Sequence, residues 1–237
     1  MREIVLQDIG VKPYKEVWDY QENLLQQKIK AKQSSVYKND YLLFVEHPPV
    51  YTLGKNGKYQ NLLITEEMLK QKGIEYFHIN RGGDITFHGP QQLVGYPILD
   101  LDNYKTDLGW YLRSLEEVII LTVAEYGLKG ERSAGETGVW LDANEKGKAR
   151  KICAMGIRCS RWVTMHGFAL NVNVDLNYFN FITPCGIVDK SVTSIEKELG
   201  KKISMDEVKQ KLIKNFEQVF ETKIIQQQKN TTFVLSY

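Results

Sequence analysis

Cysteine is scarce in this chain of 237 residues: there are three, at positions 153, 159 and 185, with no C-x-x-C spacing. They cannot all pair within one chain, so neither a disulfide framework nor a zinc ribbon is expected, and a reducing compartment fits. An excess of one charge is missing too. Thirty-one Lys+Arg against 29 Asp+Glu leave a formal +2, which gives no electrostatic reason to expect a nucleic-acid or membrane partner. Long apolar runs are absent. The most apolar helical stretch, residues 118–124, lies between Glu117 and Glu125 and falls well short of the roughly 18 residues a membrane span suggests. Residues 1–8 place charged groups on both sides of three apolar residues, where an export signal needs roughly 7–15. A soluble, cytoplasmic protein is the expectation. With 43% hydrophobic residues and 25% charged ones the chain can bury a sizeable core, and no linker or repeat divides it, so one domain over 1–237 is expected.

The pattern mixes strands and helices throughout. Pro13 opens a helix with apolar positions at Tyr14, Val17, Trp18, Leu24, Leu25 and Ile29. Residues 41–45 form an apolar run that stops at Pro48-Pro49 and reads as a buried strand, and residues 74–79 form a second, behind a short helix capped by Thr65 and ended by Gly73. Asp107 caps a long helix that Gly127 ends. Residues 137–141 and 151–158 flank a polar 144–147 turn, as two hairpin strands would. Leu170, Val172 and Val174 alternate with Ala169, Asn171 and Asn173, giving a dry face and a face of small or polar groups of the kind that borders a cavity. Thr193-x-x-Glu196 and Ser204-x-x-Glu207 read as capping boxes, and residues 232–235 as an edge strand. The fold class is α+β with a mixed sheet.

Three segments could carry chemistry. Arg81-Gly82-Gly83-Asp84-Ile85-Thr86-Phe87-His88 joins paired glycines, which let backbone N–H groups approach a ligand, to fixed guanidinium donors and an imidazole. A bland turn would look similar, and this is neither a complete G-x-G-x-x-G nor a Walker pattern. In the second segment Ala154, Gly156, Gly167 and Ala169 lack bulk where strands usually carry branched residues; they leave room for a slender apolar ligand or, more often, for a crossing element. The third is Thr183-Pro184-Cys185-Gly186. Cys153 and Cys159 lie in or beside apolar strands as inert thiols, whereas Cys185 sits in a loop and is the nucleophile candidate. Ionising it at neutral pH needs a nearby cation, and Lys151, His88 and His166 are the candidates. A Cys₃His zinc site is not expected, because spacings of six, seven and nineteen match no usual ligand pattern.

Taken in order, Arg81 to His88, Lys151-Ile-Cys-Ala-Met-Gly156, His166-Gly-Phe-Ala-Leu-Asn-Val-Asn173 and Pro184-Cys185-Gly186 resemble the lipoyl(octanoyl) transferases, and the likeness extends in weaker form from Glu46 to the helix near Gly200. The resemblance implies a mixed sheet flanked by helices, similar to the catalytic domain of biotin and lipoate ligases. It also implies transfer of an octanoyl group from octanoyl-acyl carrier protein to a lysine of lipoyl domains. Those domains belong to 2-oxo-acid dehydrogenase E2 subunits and the glycine-cleavage H protein. No cofactor, ATP or metal is implied.

By similarity Cys185 carries the acyl group as a thioester and Lys151 lowers its pKa. Arg81, Gly82, Gly83, Asp84, Ile85, Thr86, Phe87 and His88, with Ala154, Met155 and Gly156 and with Gly167, Phe168 and Ala169, contact the acyl substrate. In the second step Lys151, with His88 behind it, is the candidate base. The chain departs from the family pattern at Gln91, where a glycine is usual; a positive φ there costs on the order of 1 kcal/mol, so a local reshaping of the loop is expected. Two other readings share these residues: an ATP-dependent lipoate or biotin ligase, which does not need Cys185, and a non-catalytic module that binds acyl carrier or lipoyl domains.

Overall fold

The computed structural model describes residues 2–34, 36, 38–183 and 190–226. In chain order the strands are β1 (Arg2–Val11), β2 (Asp40–Glu46), β3 (Val50–Leu53), β4 (Glu75–His78), β5 (Ile85–His88), β6 (Gln92–Ile98), β7 (Val139–Leu141), β8 (Arg150–Ser160), β9 (Val163–Asn171), β10 (Ser191–Val192) and β11 (Thr222–Gln226). The helices are α1 (Tyr14–Gln33), α2 (Glu66–Gln71), α3 (Leu108–Ala124), α4 (Ile195–Leu199) and α5 (Met205–Phe220).

Among the described residues the main sheet runs β10-β8-β9-β6-β2-β1-β11, with β7 also on β8, and a three-stranded sheet runs β4-β3-β5. The main sheet is mixed: β2, β6, β9 and β8 alternate in direction, while β1 lies parallel to both β2 and β11. On one face α3 and α5 cover Leu42, Phe44, Leu93, Ile152, Cys153, Met155, Phe168 and Leu170. On the other, α1 covers Leu43, Val45, Val94, Tyr96, Met165 and Ala169. The stripe Tyr111, Leu115, Val118, Ile119 and Val123 is wholly buried, as its helical spacing requires. Asp107, Thr65 and Ser204 each accept a backbone N–H at the start of their helices.

The structure adds local detail and changes two local expectations, the cap of α4 and the loop at Gln91. The opening residues form β1, whose Ile4, Val5 and Leu6 are buried in succession because strands flank it and helices cover both faces. The cap of α4 is Ser194, which accepts from Lys197 N; Thr193 instead donates its hydroxyl to Glu198 Oε1 at 2.5 Å. The face of residues 169–173 that carries small and polar groups has internal partners: Ala169 packs under α1, Asn171 donates to Thr193 O, and Asn173 bonds Gln91 and Ile203. The loop at Gln91 is not reshaped, since Gln91 holds φ +65. Its N–H donates to Glu46 Oε2 at 2.7 Å, its carbonyl accepts from Asn173 N, and its side chain accepts from Asn173 Nδ2. Residues 232–235 lie outside the described set; β11 takes the sheet edge beside β1.

Candidate active site

The glycine-rich segment folds back on the loop after β3. Gly54 N donates to Asp84 O, Lys55 N to Arg81 O and Asn56 N to Gly83 O, while Gly82 N reaches across to Ile157 O of β8 at 2.9 Å. A Cβ on Gly54 would sit 2.3 Å from Gly83 O, so these two loops can lie together only with glycine there. Arg81 is buried and its guanidinium clamps the same assembly, Nη2 donating to Thr52 O at 2.7 Å and to Thr52 Oγ1 at 2.9 Å, and Nη1 to Gly82 O at 3.0 Å. Asp84 bonds Ile85 N and Asn61 Nδ2. Ile85 and Phe87 belong to the core of the small sheet, where Phe87 stacks on Tyr178 at 4.5 Å between centroids; Thr86 pairs with Thr52.

His88 turns the other way. Its ring stacks on Tyr14 and meets His47 edge-on, each at 5.9 Å between centroids, and His47 in turn accepts from Tyr96 Oη on Nε2 and donates from Nδ1 to Lys12 O. His166 stands nearby with φ +59, its Nε2 3.3 Å from Asn80 Oδ1. Burial lowers all three imidazoles: His47 to about 4, His88 to about 3 with added repulsion from His47, Arg81 and His166, and His166 to about 3 with repulsion from Arg81 and Arg158. They are neutral at physiological pH.

The small residues of β8 and β9 are matched by neighbours. A Cβ on Gly156 would meet Gly82 O at 2.7 Å and Arg81 Cδ at 3.1 Å; one on Gly167 would meet Gly95 O at 2.3 Å. Ala154 and Ala169 pair across the two strands. Met155 and Phe168 fall in the opposite core, under α3, so within each triplet the middle side chain points away from its neighbours.

Lys151 owes its direction to an irregularity. Val139 pairs with Cys153 but Trp140 with Lys151, so β8 carries one extra residue there, and Ile152 and Cys153 both enter the α3 core. This bulge turns Lys151 to the side of Trp140 and of Ala154 and Gly156, whereas strict alternation would have sent it toward α3. Its Nζ lies 4.5 Å from the centre of the Trp140 ring, and Lys190 Nζ lies 4.7 Å from the same ring while pairing with Glu136 at 2.5 Å. Gly138, at φ +112, makes the approach possible, since a Cβ there would stand 2.5 Å from Cys153 O. Buried Glu116 accepts its N–H.

Cys185 falls outside the described residues, as do 184 and 186–189. The chain on either side is anchored. Thr183 N donates to Asn61 O at 2.8 Å, and Asn61 holds Asp84; on the C-terminal side Ser191 and Val192 pair with Arg150 and Lys151, and Thr193 N donates to Lys151 O at 3.0 Å. Cys153 is wholly buried and Cys159 half-buried; burial raises both thiols, which makes neither a ready nucleophile. Among the described residues no group of three His, Cys, Asp or Glu could hold a metal, and no helix is long and apolar enough to cross a membrane.

Sequence reasoning missed Trp140, Lys190, Gln92 and Asn171 as neighbours of the site. The last two carried a signal, being amides at the ends of strand-like runs that are otherwise mostly apolar.

The geometry is a mixed sheet with a loop clamped over one face and a lysine turned onto that face, and comparison with known proteins gives it a class. An archaeal putative lipoate protein ligase from T. acidophilum superposes with a TM-score of 0.70 at 15% identity, over 96% of this chain and 88% of its own. A lipoate-protein ligase A bound with ATP gives 0.69 at 15%, covering 95% and 88%. The biotin protein ligase of Aquifex aeolicus gives 0.52 at 14%, covering 93% and 70%. Residues 13–217 match the lipoyl protein ligase A/B catalytic domain. The octanoyltransferase of Christiangramia forsetii is 58% identical over 230 residues, covering 94% of this chain and 98% of that protein, and that of Cytophaga hutchinsonii is 51% identical over 239 residues, covering 98% and 96%. The chain belongs to the octanoyltransferase family, within the lipoyl protein ligase A/B catalytic domains, and is an acyltransferase of protein lipoylation.

Proposed function

We propose that this enzyme takes octanoate from octanoyl-acyl carrier protein onto Cys185 and passes it to a lysine of lipoyl domains, those of 2-oxo-acid dehydrogenase E2 subunits and of the glycine-cleavage H protein. The observation that carries the reading is the bulge at Ile152–Cys153, which aims Lys151 at the face shared by the Arg81–Asp84 loop, beside the strand to which the chain returns after Cys185. A T. acidophilum lipoate protein ligase has been described with its E2 lipoyl domain, which supports an acceptor of that class here.

The chemistry balances with two groups. The Cys185 thiolate attacks the thioester carbonyl of the donor; the carrier thiolate leaves and takes the ammonium proton of Lys151, so the intermediate holds a neutral amine beside an acyl thioester. The acceptor lysine then attacks as a free amine, the C–S bond breaks, and its proton passes to Lys151, restoring the ammonium–thiolate pair. His88 is a poor base, because its conjugate acid is too strong at about 3.

Incubation with octanoyl-acyl carrier protein followed by intact-mass measurement tests the reading. A thioester adduct should form without ATP and be lost in Cys185→Ser. An adduct that requires ATP, or one that survives that substitution, would overturn it in favour of ligase chemistry.

A further inference from the structure

A line of buried amides crosses the main sheet behind His88. His88 Nδ1 lies 2.9 Å from Gln92 Oε1; Gln92 Nε2 donates to Phe87 O at 3.1 Å and to Asn171 Oδ1 at 2.9 Å; Asn171 Nδ2 donates to Thr193 O at 2.9 Å; and Thr193 N donates to Lys151 O. Gln92 and Asn171 are directly paired on β6 and β9, and both are almost wholly buried.

Backbone carbonyls, which can only accept, stand at two points of this line and fix its direction. Thr193 O demands the NH₂ of Asn171, which leaves Asn171 Oδ1 facing Gln92. Phe87 O and Asn171 Oδ1 together consume both hydrogens of the Gln92 amide, so its oxygen is what faces His88. An oxygen there accepts, and His88 must donate from Nδ1. Its other nitrogen, Nε2, is then a lone pair.

We propose that Gln92 and Asn171 are positioning residues that lock His88 as the Nδ1–H tautomer, so that Nε2 accepts a hydrogen bond from the acceptor lysine's amine, whose proton passes to Lys151, while that amine attacks the acyl group. This rests on the transfer reading above. A lone pair at Nε2 repels a developing oxyanion, so His88 serves the amine and the oxyanion is left to backbone N–H groups. The same line ends at Thr193, just past β10, and on the Lys151 carbonyl, so the acceptor imidazole and the strand carrying the lysine are held by one set of hydrogen bonds.

Long-range ¹⁵N–¹H spectra of the imidazoles test the tautomer in the wild-type enzyme at pH 8, with the His88 signal assigned by its loss in His88→Gln. The expected pattern is Nδ1–H with a bare Nε2; the Nε2–H pattern overturns the proposal. Gln92→Leu and Gln92→Glu both lose the donors to Phe87 O and Asn171, but the Glu carboxylate still accepts from Nδ1–H. Gln92→Leu should lose the single tautomer and slow transfer from the loaded enzyme to a lipoyl domain about tenfold, with thioester formation kept within about threefold. Gln92→Glu should keep the tautomer and a faster transfer than Gln92→Leu. Equal slowing in both would assign the amide a packing role and overturn the proposal, as would unchanged transfer in Gln92→Leu. A wild-type chain that gains no adduct from the octanoyl carrier overturns the thioester reading, while the spectrum still decides for or against the locked imidazole.

Discussion

Gly156→Ala is the substitution that best separates a ligand slot from a loop seat. The added methyl would stand 2.7 Å from Gly82 O and 3.1 Å from Arg81 Cδ. Reaching an ordinary contact of about 3.4 Å requires the loop to withdraw by about 0.7 Å. The loop has little freedom to do so, being fixed by Gly82 N–H on Ile157 O and by Arg81 on both atoms of Thr52. Overpacking of this kind costs about 1–3 kcal/mol, which for a chain of this length is about 2–4 °C in Tm per kcal/mol. Calorimetry should therefore show a fall of roughly 5 °C, and thioester formation should slow while the preferred acyl length stays at eight carbons. A variant that melts like the wild type yet prefers shorter chains would refute the reasoning, because the methyl would then be filling space meant for the ligand.

Three further outcomes follow from the same geometry. Trp140→Leu removes the ring that Lys151 and Lys190 share, an interaction worth about 1–2 kcal/mol when desolvated, and should slow thioester formation about tenfold; an unchanged rate by rapid-quench mass measurement would deny the ring any part in holding Lys151. Gln91→Ala should be less stable than Gln91→Gly by about 1 kcal/mol in urea unfolding, since both lose the Asn173 contact but only alanine carries a Cβ at φ +65; equal midpoints would contradict a left-handed residue there. The three buried histidines make stability acid-sensitive. Their folded pKa values, about 4, 3 and 3, lie below the unfolded 6.5, so the unfolded chain binds protons that the folded one refuses, and stability is full above about pH 6.5 and lost as pH falls toward the folded values. Each should cost about 2 kcal/mol between pH 7 and 5. A flat urea midpoint over that interval would contradict their burial as neutral rings.

Most of the architecture was legible because its signals are local. Helix α3 announces itself by the Asp107 cap and the 111–123 stripe, and the β7–β8 hairpin by its polar turn. What escaped was set by partners far away in sequence. Residues 2–11 show no alternation, because β1 is buried between β2 and β11, the latter from the other end of the described chain. Thr193 and Ser194 are equally good caps on paper; the hydrogen bond from Thr193 to Glu198, itself gripped by Arg150, leaves the cap to Ser194. The small strand residues could not declare what fills the space beside them, since Gly156 is matched by a loop some seventy positions earlier and Gly167 by β6.

Lys151 shows most clearly why type and order of residues stop short of a site. Period two assigns residue 151 to the face of 153 and 155, which is the α3 core, where an unpaired ammonium would cost far more than any packing it gained. The conflict is removed by spending one residue on a bulge, so that 152 and 153 share the core and 151 crosses over. That solution needs Gly138 on the neighbouring strand, because any side chain there would strike the Cys153 carbonyl. It also needs Glu116 to hold the Gly138 N–H, and Arg113 and Arg132 to balance Glu116 where it is buried. The direction of Lys151 is therefore specified by a glycine and a carboxylate on neighbouring elements, and Gly138→Ala should displace the Lys151 amine as surely as a substitution of Lys151 would remove it.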